Sequence, residues 1–174
     1  GDHDLWNGRD KTEDPKVFFN ETFSEHPKNE VYQGIQLIYL DNADIYKGVP
    51  QSEREEFKNT LANSRAPLII IFSHKAIYHP LTIHRMGYIN EEKNEEVSAQ
   101  AEEIWKEILG KKNTKIVLIS GDLHSFSKYS LPGDKYDAYT IGAITKDKNF
   151  QSPRYAIVHV GVDNTVIVED KPLE

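Results

Sequence analysis

The sequence contains no cysteine. That absence excludes a disulfide-bonded scaffold, a zinc site built from thiolates and a cysteine nucleophile. The sequence also lacks any apolar run close to the roughly 18 residues that a membrane-spanning helix requires. We therefore expect no membrane span, and any metal site would be free of thiolate ligands.

An excess of positive charge is missing as well. The chain has 21 lysines and arginines against 28 aspartates and glutamates, which gives a net charge of −7. Proteins that bind nucleic acid through its phosphates are usually basic, so we expect no nucleic-acid partner. A small anionic substrate remains compatible with this charge, provided that a metal or local positive charge offsets the acidity.

Nothing in the chain marks a boundary between domains. The 174 residues contain no internal repeat, no low-complexity tract and no long linker. This length suits one domain and allows a sizeable core without disulfides. We therefore interpret residues 1–174 as a single domain.

Two apolar segments predict buried strands. Leu68–Phe72 is an unbroken apolar run, and Lys115–Ile119 repeats the pattern after its first residue. Between them, apolar residues recur at helical spacing and predict an amphipathic helix that ends near Gly110. This stripe consists of Val97, Ala101, Ile104, Trp105 and Ile108. A helix between two buried strands is a βαβ unit, so the sequence predicts an α/β fold with parallel strands.

Further segments complete the outline. Gln36–Leu40 predicts another strand, and the capping-box spacing of Ser52 and Glu55 predicts a helix from about Ser52 to Asn63. Asn90 is placed to cap the second helix. Four short segments near the C-terminus, separated by Gly, Pro, Asp and Asn, predict an antiparallel β-meander. They are Phe126–Leu131, Tyr139–Ile144, Arg154–Val160 and Thr165–Glu169.

Side chains that can bind metals follow both buried strands. His74 comes after the first strand, and Asp122 and His124 come after the second. Ligands of open α/β sheets bind outside the carboxyl ends of the strands, so we expect these residues at such a site. A single histidine in this position can instead bond only a loop carbonyl, but two strands that end in this way favour a site.

The first residues, Gly1-Asp2-His3-Asp4, add a third group of the same chemistry. Alone, such a cluster is often only solvated. In chain order the three groups are Gly-Asp-His-Asp, Phe-Ser-His and Ser-Gly-Asp-Leu-His. This order resembles the calcineurin-like metallophosphoesterase superfamily, which carries a Gly-Asn-His-(Asp/Glu) block, a lone histidine after a strand and a Gly-His-x-His block.

The resemblance implies an α/β fold of the metallophosphoesterase type. This fold is an αββα sandwich, of which the chain would supply the C-terminal portion, with a mixed sheet and the antiparallel β-meander at the end. The implied activity is that of a phosphomonoesterase or phosphodiesterase that uses a hydroxide activated by two metals. The implied cofactors are two divalent ions (Mn, Mg, Ca, Fe or Zn), and the implied partner is a small anionic phosphate ester.

Residue roles also follow from the resemblance. The implied metal ligands are Asp2, His74 and Asp122 on one ion and His124 on the other. His3 would act as the general acid near the leaving group, and Asp4 would orient and charge it. The alternative interpretation of His3 is a terminal histidine with no catalytic role.

The chain departs from the family pattern at several points. Asp2 stands where the family usually has Asn, and Asp122 stands where it usually has the first His of the last block. The added negative charge favours hard cations such as Mn, Mg or Ca. The Asp-x-His ending of the last block is similar to the alkaline phosphatase D branch of the family. The family's Asp-x-His and Gly-Asp-x-x-Asp motifs precede the block at Gly1, so we expect a missing N-terminal segment or a partner chain to complete the site.

Two function classes therefore stay open. One is the metal-dependent phosphoesterase, and the other is a non-catalytic metallophosphoesterase-like module or fragment that acts in partner binding. The loop 75–90, rich in His and Tyr, carries further candidates. His79 and His84 are candidates for substrate contact, and Tyr78 and Arg85 for binding a phosphate or its leaving group. The alternative for each is an ordinary loop residue.

Overall fold

A computed structural model describes residues 28–130, 136–145 and 151–173. Within these residues the chain forms ten strands and two helices. The strands are β1 (Asn29–Tyr32), β2 (Ile35–Leu40), β3 (Leu68–Ser73), β4 (Tyr88–Ile89), β5 (Glu92–Lys93), β6 (Lys115–Ser120), β7 (Ser127–Ser130), β8 (Tyr136–Thr140), β9 (Arg154–Val160) and β10 (Val166–Pro172). The helices are α1 (Gln51–Asn63) and α2 (Glu95–Gly110). Neither of these two helices combines the length and apolar character needed to cross a bilayer.

Six strands form one mixed sheet in the order β1-β2-β3-β6-β8-β7. The four central strands are parallel, and β1 and β7 pair antiparallel at the two edges. Helix α1 connects β2 to β3, and α2 connects β3 to β6, so both are crossover connections between parallel neighbours. The predicted α/β fold and mixed sheet are therefore confirmed.

The apolar strands are buried because both faces of the sheet are covered. Along β3, Ile69 and Ile71 pack with the helices, whereas Leu68 and Ile70 pack on the opposite face. This division follows from the alternation of side chains along a strand. The β9–β10 hairpin contributes Val166, Val168 and further apolar residues to the core of the second face. The sheet therefore has a helical layer on one side and a hairpin on the other.

The helical layer confirms the predicted amphipathic stripe of α2. Four of its five members, Val97, Ala101, Ile104 and Ile108, are buried against the sheet, and Trp105 is partly buried beside them. Phe57 and Leu61 of α1 pack in the same core. The periodicity of 3.6 residues therefore identified the correct face of each helix.

The C-terminal strands are organised as two antiparallel hairpins. Strand β7 pairs with β8 in the six-stranded sheet, and β9 pairs with β10 as a separate two-stranded sheet. Strand β8 also lies parallel to β6. It begins at Tyr136, earlier than the predicted segment Tyr139–Ile144. The alternation of polar and apolar residues predicts a strand, but it does not reveal which neighbour that strand will have.

The predicted helix caps were wrong in both cases. Helix α1 has Pro50 as its N-cap, with no side-chain cap bond, and the Pro50 carbonyl accepts hydrogen bonds from the first turn. Ser52 therefore lies inside the helix. Asn90 has a left-handed φ of 47° in the β4–β5 turn. Asn94 caps α2 instead, because its side chain accepts a hydrogen bond from the Val97 amide.

Candidate metal-binding site at the strand ends

Strands β3 and β6 end side by side. Ser73 and Ser120 are paired across the parallel ladder, so His74 and Gly121 leave the sheet at the same edge. The Gly121 amide donates a hydrogen bond to the His74 carbonyl at 3.0 Å. Beyond this contact, His74 Nε2 lies 3.5 Å from Asp122 Oδ1, and the two side chains are 20% and 19% exposed. The fold therefore brings together two of the predicted ligands at a partly buried edge.

The turn after β6 has an unusual backbone. Asp122 and His124 have positive φ angles of 56° and 49°. A left-handed conformation costs a non-glycine residue roughly 1–2 kcal/mol. Backbone strain of this kind is concentrated at functional sites, where the surrounding structure maintains it. The turn carries two of the predicted ligands in one short segment, and their functional roles stay predictions.

The His74–Asp122 pair has the spacing of two ligands on one cation. Atoms that each bind a cation at about 2.1 Å lie roughly 3.0–3.4 Å apart. The 3.5 Å between Nε2 and Oδ1 is close to that separation. Across residues 28–130, 136–145 and 151–173, however, no group of three or more His, Asp or Glu side chains is arranged to hold a metal. The described residues thus fit a metal only as a partial ligand set.

Three predicted site residues, Asp2, His3 and Asp4, lie outside the described residues. Their roles as metal ligand, general acid and orienting carboxylate stay predictions. His124 lies two residues after Asp122, in the same turn, and is half-buried. Its assignment to a second metal also stays a prediction.

Asn42 is a part of the site that sequence reasoning missed. It is 1% exposed and lies just after β2, the strand next to β3. Its Oδ1 accepts hydrogen bonds from the amides of His74 (2.9 Å) and Lys75 (3.0 Å). Its Nδ2 donates to the Lys75 carbonyl at 2.8 Å. Asn42 therefore fixes the backbone that carries His74. The available signal was its position, since it follows a strand as His74 and Asp122 do.

Lys75 is the second residue that sequence reasoning missed. Its Nζ lies 3.5 Å from Asp122 Oδ2 and 3.4 Å from the Tyr88 carbonyl oxygen. Only 12% of its side chain is exposed. Asp122 therefore has an imidazole at one carboxylate oxygen and an ammonium group at the other. This ammonium is a positive charge that would be close to any cation bound by Asp122.

The segment between β3 and β4 is a packed structure. Ala76, Ile77 and Met86 are buried, and the Tyr129 hydroxyl donates a hydrogen bond to the Tyr78 carbonyl at 2.6 Å. Burial raises the pKa of Tyr129, and the nearby Tyr78 adds to the increase. The hydroxyl therefore stays protonated and keeps this bond at physiological pH. The segment is thus tied to strand β7.

The predicted substrate-contact residues of this segment differ in their burial and in the groups that they contact. The His79 ring lies 4.4 Å from that of Tyr129, and burial, followed by the charge of Arg85, lowers the pKa of His79. The Arg85 guanidinium lies over the rings of Tyr78 and Tyr88, whereas His84 is exposed. Their proposed contacts with substrate stay predictions.

Comparison with known proteins identifies the fold. No family model matches the chain, and no curated protein matches it. Among solved structures, the chain is similar to PhoD, an alkaline phosphatase D and a metallophosphoesterase, with a TM-score of 0.57 and 12% sequence identity. That match covers 84% of this chain and 39% of the PhoD chain. A protein described as a 5′-nucleotidase from Staphylococcus aureus matches with a TM-score of 0.42 and 12% identity, over 83% of this chain and 28% of that one.

The likeness to PhoD shows that the chain has the fold of the calcineurin-like metallophosphoesterases, as the sequence motifs predicted. The chain spans 39% of the length of PhoD. At 12% identity the comparison concerns the fold alone, because one fold supports many functions.

Proposed function

We propose that this protein is a metal-dependent phosphoric ester hydrolase, acting on phosphomonoesters or phosphodiesters. The observation that supports this most directly is the pairing of His74 with Asp122 at 3.5 Å, at the carboxyl ends of adjacent parallel strands. This edge is where α/β sheets bind ligands. The pair occurs in a chain whose fold is that of metallophosphoesterases.

The proposed ligand set combines imidazole and carboxylate groups. We assign Asp2, His74 and Asp122 to one ion and His124 to the other. When bound, two divalent ions would polarise the phosphoryl oxygens and lower the pKa of a water. The chain's own contribution is to fix His74 through its backbone and to present Asp122 from a left-handed turn. A preorganised ligand pair costs less to assemble around a cation.

We assign proton transfer to His3, with Asp4 as its orienting carboxylate. An imidazole has an ordinary pKa of about 6.5 and can give up a proton near neutral pH. His3 would protonate the leaving oxygen of the ester, and Asp4 would hold the ring and favour its charged form. Substrate would enter as an anion, for which Lys75 supplies nearby positive charge.

Calorimetric titration with Mn²⁺ tests the metal site. We expect one well-bound ion for these 174 residues, because a single described pair of ligands converges. His74→Ala and Asp122→Asn should each weaken Mn²⁺ binding at least tenfold while the protein stays folded. His159→Ala is the matched control, because His159 lies on β9 and pairs with Glu169 at 3.2 Å. Unchanged Mn²⁺ affinity in both site variants would refute the proposed site.

Hydrolysis of bis(4-nitrophenyl) phosphate and of 4-nitrophenyl phosphate in Mn²⁺ separates an enzyme from a module. From this chain alone we expect weak turnover or none, and the His74 substitution should abolish any turnover that is seen. Turnover that persists in the His74 variant would come from a contaminant or from another site. Further purification removes a contaminant, and turnover that remains after it would contradict the assigned ligands.

One observation favours the alternative, a non-catalytic metallophosphoesterase-like module. Lys75 Nζ already lies 3.5 Å from Asp122 Oδ2, where it partly neutralises a proposed ligand. If the lysine replaces a metal, the folded parent chain should bind no Mn²⁺, and Lys75→Met should create or strengthen binding. If the site is catalytic, the parent should bind Mn²⁺, and Lys75→Met should lower affinity for an anionic ester.

A further inference from the structure

The Arg85 guanidinium packs against two tyrosine rings. Its Cζ lies 5.2 Å from the ring centroid of Tyr78 and 5.4 Å from that of Tyr88. Within the described ranges 28–130, 136–145 and 151–173, its buried Nε has no hydrogen-bond partner. A buried donor left unpaired costs roughly 1–3 kcal/mol, and more when it is charged. Such a group calls for an explanation beyond packing.

A chain of contacts links Arg85 to the candidate metal ligands. Tyr88 connects the two regions, because its carbonyl is 3.4 Å from Lys75 Nζ and its ring lies under Arg85. Lys75 in turn lies 3.5 Å from Asp122. Two cations therefore contact Tyr88, Lys75 at its backbone carbonyl and Arg85 at its ring. Asp122 offsets the charge of Lys75, whereas in the part of the chain that the structure describes no carboxylate pairs with Arg85.

The aromatic support of Arg85 is held in place. Tyr78 stacks on Trp105 of α2, with ring centroids 5.1 Å apart and an angle of 15° between the planes. The Tyr78 carbonyl also accepts the hydrogen bond from the Tyr129 hydroxyl. Trp105 thus holds the ring that packs against the guanidinium, and Tyr129 holds the backbone of the same residue. A cation positioned in advance loses less conformational entropy when it binds a ligand.

We propose that Arg85 is a phosphate-binding residue that recognises an oxyanion of the substrate beside the His74–Asp122 pair. The planar guanidinium presents paired donors that match phosphate oxygens, and in this protein it packs against two tyrosine rings. The identification of the oxyanion as part of a phosphate ester rests on the proposed hydrolase function. The binding of phosphate by Arg85 does not depend on a metal.

The test is a titration with inorganic phosphate in the presence of EDTA, which removes any contribution from bound metal. Trp105 reports binding by fluorescence through its stacking on Tyr78, in a Trp6→Phe background that leaves one tryptophan. We expect saturable binding by the parent and a Kd at least tenfold higher for Arg85→Gln. Hydrogen bonds to charged groups are worth about 1.5–3 kcal/mol, which corresponds to at least that factor.

Two further variants keep the result interpretable. Arg65→Gln removes the same charge from an exposed residue near the opposite end of β3, and it should leave the Kd unchanged. Arg85→Lys keeps a cation over the rings but loses the planar fork, so its Kd should lie between those of the parent and Arg85→Gln. Circular dichroism and Tm verify that each variant is folded. The intermediate Kd of Arg85→Lys sustains the inference even if Arg85→Gln does not fold.

Three outcomes would overturn the inference: a folded parent that binds no phosphate, an Arg85→Gln variant with the Kd of the parent, or an equal loss in Arg65→Gln. These outcomes are distinct from failure of the proposed function. Arg85-dependent phosphate binding without Mn²⁺-dependent hydrolysis would refute the hydrolase alone. Hydrolysis that depends on His74, with phosphate affinity independent of Arg85, would refute only this inference.

Discussion

Replacement of Asn42 by alanine provides the sharpest test of how the site is built. The substitution removes three hydrogen bonds to the backbone, two from the amides of His74 and Lys75 and one to the Lys75 carbonyl, together with a weak contact to Met86 Sδ. Asn42 is 1% exposed, so water does not reach its side chain in the folded protein. The two amides would lose this partner in a largely buried setting, whereas the Lys75 carbonyl would keep the hydrogen bond from the Ser73 hydroxyl at 2.9 Å.

The expected loss of stability follows from these three groups. Each truncated hydrogen bond costs roughly 1 kcal/mol, and an unpaired buried group costs about 1–3 kcal/mol. Because His74 and Lys75 are half-buried, water can recover part of the loss. We therefore expect Asn42→Ala to lower the free energy of unfolding by roughly 2–4 kcal/mol. The variant should still fold, since domains of this kind have about 5–15 kcal/mol of stability.

Urea unfolding monitored by circular dichroism measures this loss, and calorimetry with Mn²⁺ measures its consequence for the site. Release of the His74 backbone should weaken Mn²⁺ binding even under conditions where the variant is fully folded. Asn63→Ala is the matched control, because its Nδ2 bonds the Asn59 carbonyl at an exposed helix end, and it should change stability by less than about 0.5 kcal/mol. A loss below about 1 kcal/mol for Asn42→Ala, with unchanged Mn²⁺ affinity, would refute the reasoning.

Three further predictions follow from the same structure. His3→Ala should lower kcat by about 10²–10⁴-fold, with a smaller loss for nitrophenyl esters, and an equal loss for all leaving groups would contradict a role as general acid. Gly87→Ala should destabilise the protein strongly in thermal unfolding, because its φ is +93° and a Cβ would lie 2.7 Å from the backbone of α2. Gly34→Ala, with φ +82° and no atom within 4 Å, should cost only about 1–2 kcal/mol, and equal losses would contradict the packing argument. Arg85→Gln should raise the pKa of His79 towards its usual value of about 6.5 in an NMR titration, and an unchanged pKa would show that Arg85 does not affect this ring.

Much of the fold could be predicted because burial leaves periodic patterns in the sequence. Leu68–Phe72 and Lys115–Ile119 are apolar at nearly every position because both faces of the sheet are covered. The stripe of α2 follows from one buried helical face. The edge strand β1 gave no such signal, because three of its four residues are exposed. The helix caps were mispredicted because Ser52 and Asn90 are of residue types that often cap helices and lie within four residues of the observed N-caps, Pro50 and Asn94.

The candidate site likewise has features that the sequence pattern predicts and others that it does not. The placement of His74 and Asp122 directly after two buried strands was enough to predict that they share an edge. Their partners were not predictable from spacing. Asn42 precedes His74 by 32 residues. Its position after a strand does not distinguish a buried residue that hydrogen-bonds the His74 backbone from an ordinary turn residue. The left-handed backbone of Asp122 is likewise a consequence of the turn that the folded sheet imposes.

The amino-acid pattern was enough to predict the parallel core, the helical faces and the edge where imidazole and carboxylate groups emerge, because each depends on local periodicity and on strand direction. The surroundings of those groups became known from the folded structure. There, Lys75 forms an ion pair with Asp122, and the Asn42 side chain accepts a hydrogen bond from the His74 amide. The Arg85 guanidinium lies over the rings of two tyrosines. These contacts join separate segments, and they arise from the sheet register and from the packing of the β3–β4 segment on α2. Neither of these is encoded in the spacing of residues along the chain.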